Sequence, residues 1–140
     1  MLHEVDSPGD RTPVELYELY LESIVAAITE HGVETVAERS GVDEEVLREL
    51  VDGGEAELTL EEAAAILSLV DETGDAETIA MIARDELLMG MTTAVLDVEA
   101  VESGLDGELE AREIQSKIEG RFPMTLREFA LLYQYIDGAR

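Results

Sequence analysis

Three times in 140 residues a threonine stands three positions before a glutamate at the head of an apolar run: Thr12-Pro13-Val14-Glu15, Thr59-Leu60-Glu61-Glu62 and Thr125-Leu126-Arg127-Glu128. At that spacing the threonine hydroxyl accepts from the backbone N–H of the glutamate. The glutamate carboxylate in turn accepts from the threonine N–H, so two donors at a helix start are satisfied together. Each quartet therefore marks a helix N-terminus, and the three lie near the beginning, middle and end of the chain. Leu16, Leu19, Tyr20, Ile24 and Ile28 continue the first at helical spacing. Pro13 suits its opening turn and Gly32 stops it.

The intervals read the same way. Residues 33–39 form a short helix closed by Gly41, and Asp43 caps a third with Val46, Leu47, Leu50 and Val51 on its inner face until Gly53-Gly54 breaks it. The helix opened by Thr59 is expected to reach about Val70, with Leu58 and Ala63 as a hydrophobic staple across its start. Asp75 caps a helix carrying Ile79, Ile82, Leu87 and Met91, with a bend or interruption expected at Gly90. Asp97 caps a short helix ending near Gly104. A further helix over 107–120 carries Leu109, Ile114 and Ile118, and the last opens at Thr125, with Met124 and Phe129 in the staple positions. The expected fold is all-α, with about eight helices.

The order repeats. Ser40-Gly41-Val42-Asp43 matches Ser103-Gly104-Leu105-Asp106 at an offset of 63, and the second and third capping quartets match at an offset of 66. Either the chain is an internal duplication, or capped amphipathic helices drawn from few residue types resemble one another. On the first reading a flexible N-terminus (1–11) precedes a first helical half (12–71), a polar joint (72–75), a second half (76–137) and a tail (138–140). Each half is about 65 residues and would bury a marginal core alone, so the two are expected to pack together.

Charge decides the solvent side. Thirty-four carboxylates face nine basic residues, of which only Lys117 is a lysine, for a net charge of -25, yet 46% of the residues are hydrophobic. The chain has a core to bury, and its acidic faces read as a solvated surface adapted to a salt-rich cytoplasm. With no cysteine, disulfides, thiol catalysis and cysteine-ligated zinc are excluded. His3 and His31 lie 28 positions apart, and neither has a second histidine at helical spacing, so no metal site is expected. No Gly-rich phosphate loop, nucleophile constellation or calcium loop is present, so neither catalysis nor a cofactor or specific small molecule is expected. No basic region followed by an apolar run opens the chain. The longest near-apolar run, 87–96, is ten residues, half of a membrane span. The expected location is cytoplasmic.

The run "QSKIEGRFPMTLREFALLYQYI" resembles the end of a lambda-repressor-type helix-turn-helix, and "VAERSGVDEEVLRELVDGGEAELTLEEAAAIL" is similar in layout. That resemblance implies a third helix suited to the DNA major groove. Over nearly its whole length, including "LTLEEAAAIL", "LLMGMTTAVLDV" and "KIEG", the chain also resembles an uncharacterised family of small acidic haloarchaeal proteins, a domain of unknown function. The likeness implies a salt-loving archaeal source and brings no activity with it.

Residues 41–75 hold twelve acids and one base, so phosphate contact by the first candidate recognition helix is implausible. Residues 110–127 hold Arg112, Lys117, Arg121 and Arg127 against three glutamates, and Gln115 and Ser116 add side chains able to bond base edges or phosphates. These six are the candidate contacts for DNA or for a protein partner. Alternatively, the cations pair with neighbouring carboxylates, as Glu113 and Lys117 can at a spacing of four, or dock the second half on the first. Met89 to Ala94 form a small-residue stretch flanked by methionines, suited to close helix approach or to an adaptable binding face. Four of the six aromatics lie in the last twenty residues, so the final helix is expected to carry heavy packing, with a second copy as one candidate partner. The function expected is a non-enzymatic regulator or adaptor acting through protein contacts, alternatively a DNA-binding regulator using the 107–120 helix.

Overall fold

The computed structural model describes residue 2 and residues 7–70 and 75–140. Among the described residues eight α-helices run in order: α1 (Pro13–His31), α2 (Val33–Ser40), α3 (Glu44–Val51), α4 (Leu60–Leu67), α5 (Ala76–Ala94), α6 (Val98–Gly104), α7 (Ala111–Ile118) and α8 (Leu126–Gly138). A 3₁₀ turn, Pro8–Asp10, precedes them. The described residues form no strand, so the fold is all-α.

All three quartets close as reciprocal capping boxes, with the Thr12, Thr59 and Thr125 hydroxyls accepting from Glu15, Glu62 and Glu128 N–H at 3.0–3.1 Å. Asp43, Asp75 and Asp97 cap α3, α5 and α6 as their positions predict. At Gly41 the chain turns with φ of 77°, a left-handed conformation that any Cβ disfavours, and α2 ends there.

Burial ties these helices into one apolar core. The inward stripe of α1 (Leu16, Tyr17, Tyr20, Ile24, Ala27, Ile28) lies against α8 and α4, while α5 packs on α4 and α8 and α6 covers α7. Phe129 of α8 sits at the centre, its ring 5.9 Å from that of Tyr20 and 5.5 Å from that of Tyr133. Both staples are buried: Leu58 with Ala63, and Met124 with Phe129. The starts of α4 and α8 also meet. Leu60 N–H donates to the Met124 carbonyl at 2.7 Å and Leu126 N–H to the Leu58 carbonyl at 2.9 Å, which pairs Thr59 with Thr125 in an isolated antiparallel bridge.

Several expectations need correction. α4 ends at Leu67 rather than near Val70, because Leu69 and Val70 N–H turn back to Ile66 and Leu67 carbonyls and tighten the chain. α5 is unbroken at Gly90. A Cβ there would lie 2.7 Å from Ile136 Cγ2, so this glycine marks the close approach of α5 and α8. The helix expected over 107–120 begins only at Ala111, since Asp106 and Gly107 both have positive φ. Val51 is 40% exposed because α3 packs mainly on α1 and α2, burying Leu47 and Leu50 and leaving this side chain outside the contact.

Of the N-terminal stretch 1–11, residues 1 and 3–6 lie outside the described residues, as do residue 71 and, of the polar joint 72–75, residues 72–74. Leu2 is 1% exposed, and its carbonyl accepts from the Tyr20 hydroxyl. The 3₁₀ turn is anchored where Gly9 N–H donates to the Asp137 carboxylate at 2.9 Å.

Candidate interaction surfaces

The fold carries charge only on its outside: among the described residues no charged side chain is buried. Within that shell α7 presents the side chains that the sequence singles out. Its Ile114 and Ile118 face inward, which turns Arg112 and Gln115 to solvent. Glu102 of α6 caps α7 through its carboxylate, accepting from Ala111 N–H at 2.9 Å, so consecutive short helices are tied end to side.

The cations near α7 are largely engaged. Lys117 Nζ lies 2.7 Å from Glu113 Oε2 and also pairs with Glu128 of α8, and its side chain is 14% exposed. Desolvation opposes its charge, but the hydrogen bonds to the two carboxylates outweigh that and hold the Lys117 pKa above the ordinary lysine value. The same contact lowers the pKa of Glu113. Gln115 donates to Glu119 Oε1 at 3.0 Å, and Arg121 pairs with the same carboxylate. The Gln115 bond first, and then Arg121, keep Glu119 below the usual carboxylate range against a desolvation effect of opposite sign. Arg112 is exposed and has no ion-pair partner among the described residues.

The six expected contacts do not form one patch. Arg112, Ser116 and Lys117 line a cleft of about 490 Å³ with Glu110, Glu113, Phe122 and Pro123. Gln115 and Arg121 converge on Glu119. Arg127 lies apart, at the start of α8, with its guanidinium 4.3 Å from the centroid of the Tyr17 ring and its Nε 3.0 Å from Glu57 Oε1. The reason is geometric: α8 starts beside α4 and runs along α1, which carries Arg127 onto Tyr17 and Glu57 and away from α7.

Sequence reasoning left Arg84 unremarked. Its Nε donates to the Lys117 carbonyl at 3.0 Å and its guanidinium pairs with Glu61, so it bridges α5, α7 and α4. Nothing in its local sequence signals this, because both partners are distant in the chain.

The second surface is apolar. On α5 Met81 (54% exposed), Leu88 (45%) and Met89 (61%) face solvent together with Ile82 (37%), which the sequence had placed on the buried line. At about 100° per residue these four share one side with Thr78, Asp85 and Thr92, opposite the buried Ala83, Leu87 and Gly90. The methionine-flanked stretch is thus divided: Gly90 and Met91 pack inward while Met89, Thr92 and Thr93 point out. Along one flank of the α5 face runs a groove of about 520 Å³, bordered by α4 and α7.

Among the described residues no group of three or more His, Asp or Glu side chains is placed to hold a metal ion, and no helix is long and apolar enough to cross a membrane. No curated protein and no solved structure matches the chain. Residues 16–139, from the first buried leucine of α1 to the end of α8, match the Family of unknown function (DUF5791), and the chain belongs to that family.

Proposed function

We propose that this protein is a non-enzymatic helical binding module, a small cytoplasmic regulator or adaptor, and that its partner is a protein. The observation that carries the reading is the α5 face, where four large apolar side chains stand in solvent as two pairs, Met81 with Ile82 and Leu88 with Met89, on either side of Asp85. Single exposed apolar residues are ordinary, but four large ones on one side of a single helix favour an interaction surface. Burying such a side chain is worth about 1.5–3 kcal/mol, and high salt does not screen it. On this reading the helix-turn-helix plan is a scaffold, and the acidic shell is an adaptation to a salt-rich cytoplasm of the kind the haloarchaeal resemblance implies.

The DNA alternative keeps one favourable observation, that the exposed side of α7 offers Arg112 beside Gln115 and Ser116. Against it, Lys117 and Arg121 already hold carboxylates. Two assays in KCl at about 1 M separate the readings. A photo-crosslinking residue at position 88 should yield a discrete adduct, identified by mass spectrometry and absent with the crosslinker at exposed Glu99. Polarisation against labelled genomic fragments should show no saturable binding. Saturable, sequence-dependent binding lost in Arg112→Ala, with no adduct from position 88, would overturn the protein reading.

A further inference from the structure

The groove beside α5 has a floor and a rim of different chemistry. Ala76, Ala80, Met81, Leu88 and Ile118 supply apolar surface. Glu61, Glu77, Asp85 and Glu119 surround it with four carboxylates. The one cation in the lining, Arg84, is 14% exposed and already holds Glu61 and the Lys117 carbonyl. Glu77 and Asp85 have no ion-pair partner among the described residues. An occupant must therefore bring apolar side chains to the floor and positive charge to the rim.

We propose that this groove receives an amphipathic helix of a partner protein, with aliphatic anchors at helical spacing and Arg or Lys along their flanks; the proposal rests on the protein-binding reading above. Helix-in-groove recognition uses apolar anchor sites at helical intervals, and Met81 and Leu88, seven positions apart on α5, set two of them about two turns apart. The carboxylate rim selects the partner's charge, while the floor provides affinity that survives salt. A second copy of this chain suits the site less well, since it would set Asp85 and Glu77 against another surface of the same sign and add a second net charge of -25.

Three labelled helical peptides of about 18 residues, roughly five turns, test the assignment against the intact protein. They share one leucine stripe and carry Arg and Lys, Gln, or Glu on their flanks. In polarisation at about 0.2 M and 1 M KCl the cationic peptide should bind most tightly at both concentrations. Leu88→Asp should weaken it at least about tenfold, Met81→Asp should do likewise, and Val14→Asp, exposed on α1 and outside both the α5 face and the groove lining, should leave it unchanged. Both groove variants should keep the helical circular dichroism of the parent, as their side chains are exposed. Equal binding of the three peptides, or indifference to Leu88→Asp, would overturn the proposal. So would a dimer in sedimentation equilibrium that Leu88→Asp dissolves, because the occupant would then be a second copy. An adduct from position 88 with no peptide binding would refute the charge assignment and leave the binding-module reading standing; absence of both would remove both.

Discussion

Lys117 is the only lysine in the chain and its most committed cation, held by Glu113 from its own helix and by Glu128 from α8. Glu128 also closes the last capping box through its other oxygen, so one ammonium supports both a helix–helix contact and a helix start. Lys117→Ala should lower stability by about 1.5–3 kcal/mol, the range for hydrogen bonds to charged groups, which urea titration measures. A contact residue for DNA would behave otherwise, with binding weakened and stability kept. The tyrosines give a second test at this scale. Desolvation first, then Glu86 and Asp137, push the Tyr133 phenol up to about 12 from 10.0, and burial raises Tyr20 as well. In the unfolded chain these phenols ionise near 10, so the folded form binds their protons more tightly. Their contribution is complete below about pH 10 and is lost as pH rises toward 12. Thermal melts followed across that interval should fall steadily, and ionisation of these two phenols should accompany unfolding.

At the level of elements, what could be read in advance was whatever depends on a few adjacent residues. Caps, glycine stops and the inward faces of α1, α4 and α8 are of that kind, because a threonine or aspartate hydrogen-bonds within three positions of itself whatever the rest of the chain does. The misplaced features depend on distant partners. Gly90 looks like a helix break locally and is instead the point where Ile136 crosses α5. Ile82 fits an apolar period, yet no element covers it, and Arg127 follows α8 onto Tyr17 and away from α7. Of the candidate site, the face of α7 was legible, and the carboxylates that occupy its cations were legible only for Glu113. Gly90→Ala separates the two views of that residue. An exposed helical glycine would gain about 1 kcal/mol from alanine, but Ile136 Cγ2 branches at Cβ and has little freedom to withdraw. Overpacking should outweigh the gain and leave a net loss of about 1–2 kcal/mol, seen as a lower denaturation midpoint at unchanged slope.

The whole molecule is governed by an imbalance that no local contact removes. Arginine and lysine are too few for the 34 carboxylates, and each ion pair among the described residues, whether local as Arg48 with Glu44 or between helices as Arg84 with Glu61, answers only one or two of them. Most of the net charge is therefore left to mobile ions. Between about 0.1 M and 1 M KCl the screening length falls from about 10 Å to about 3 Å, which should remove much of the self-repulsion. The melting temperature followed by circular dichroism should rise clearly over that range and level off above it. A midpoint indifferent to salt would contradict the account.

The meeting of α4 and α8 has a consequence for exchange with solvent. The first amides of a helix ordinarily have no partner within it and trade their protons freely; Val98, at the start of α6, has none among the described residues. Leu60 and Leu126 hold the same position in their helices, yet each gives its proton to a carbonyl of a segment some 66 positions away in the chain. Fraying of either helix alone does not release them, for the two segments joined at Thr59 and Thr125 must part first. In native-state deuterium labelling these two amides should exchange at a common slow rate close to that of the core, set by global opening, while Val98 exchanges within the dead time.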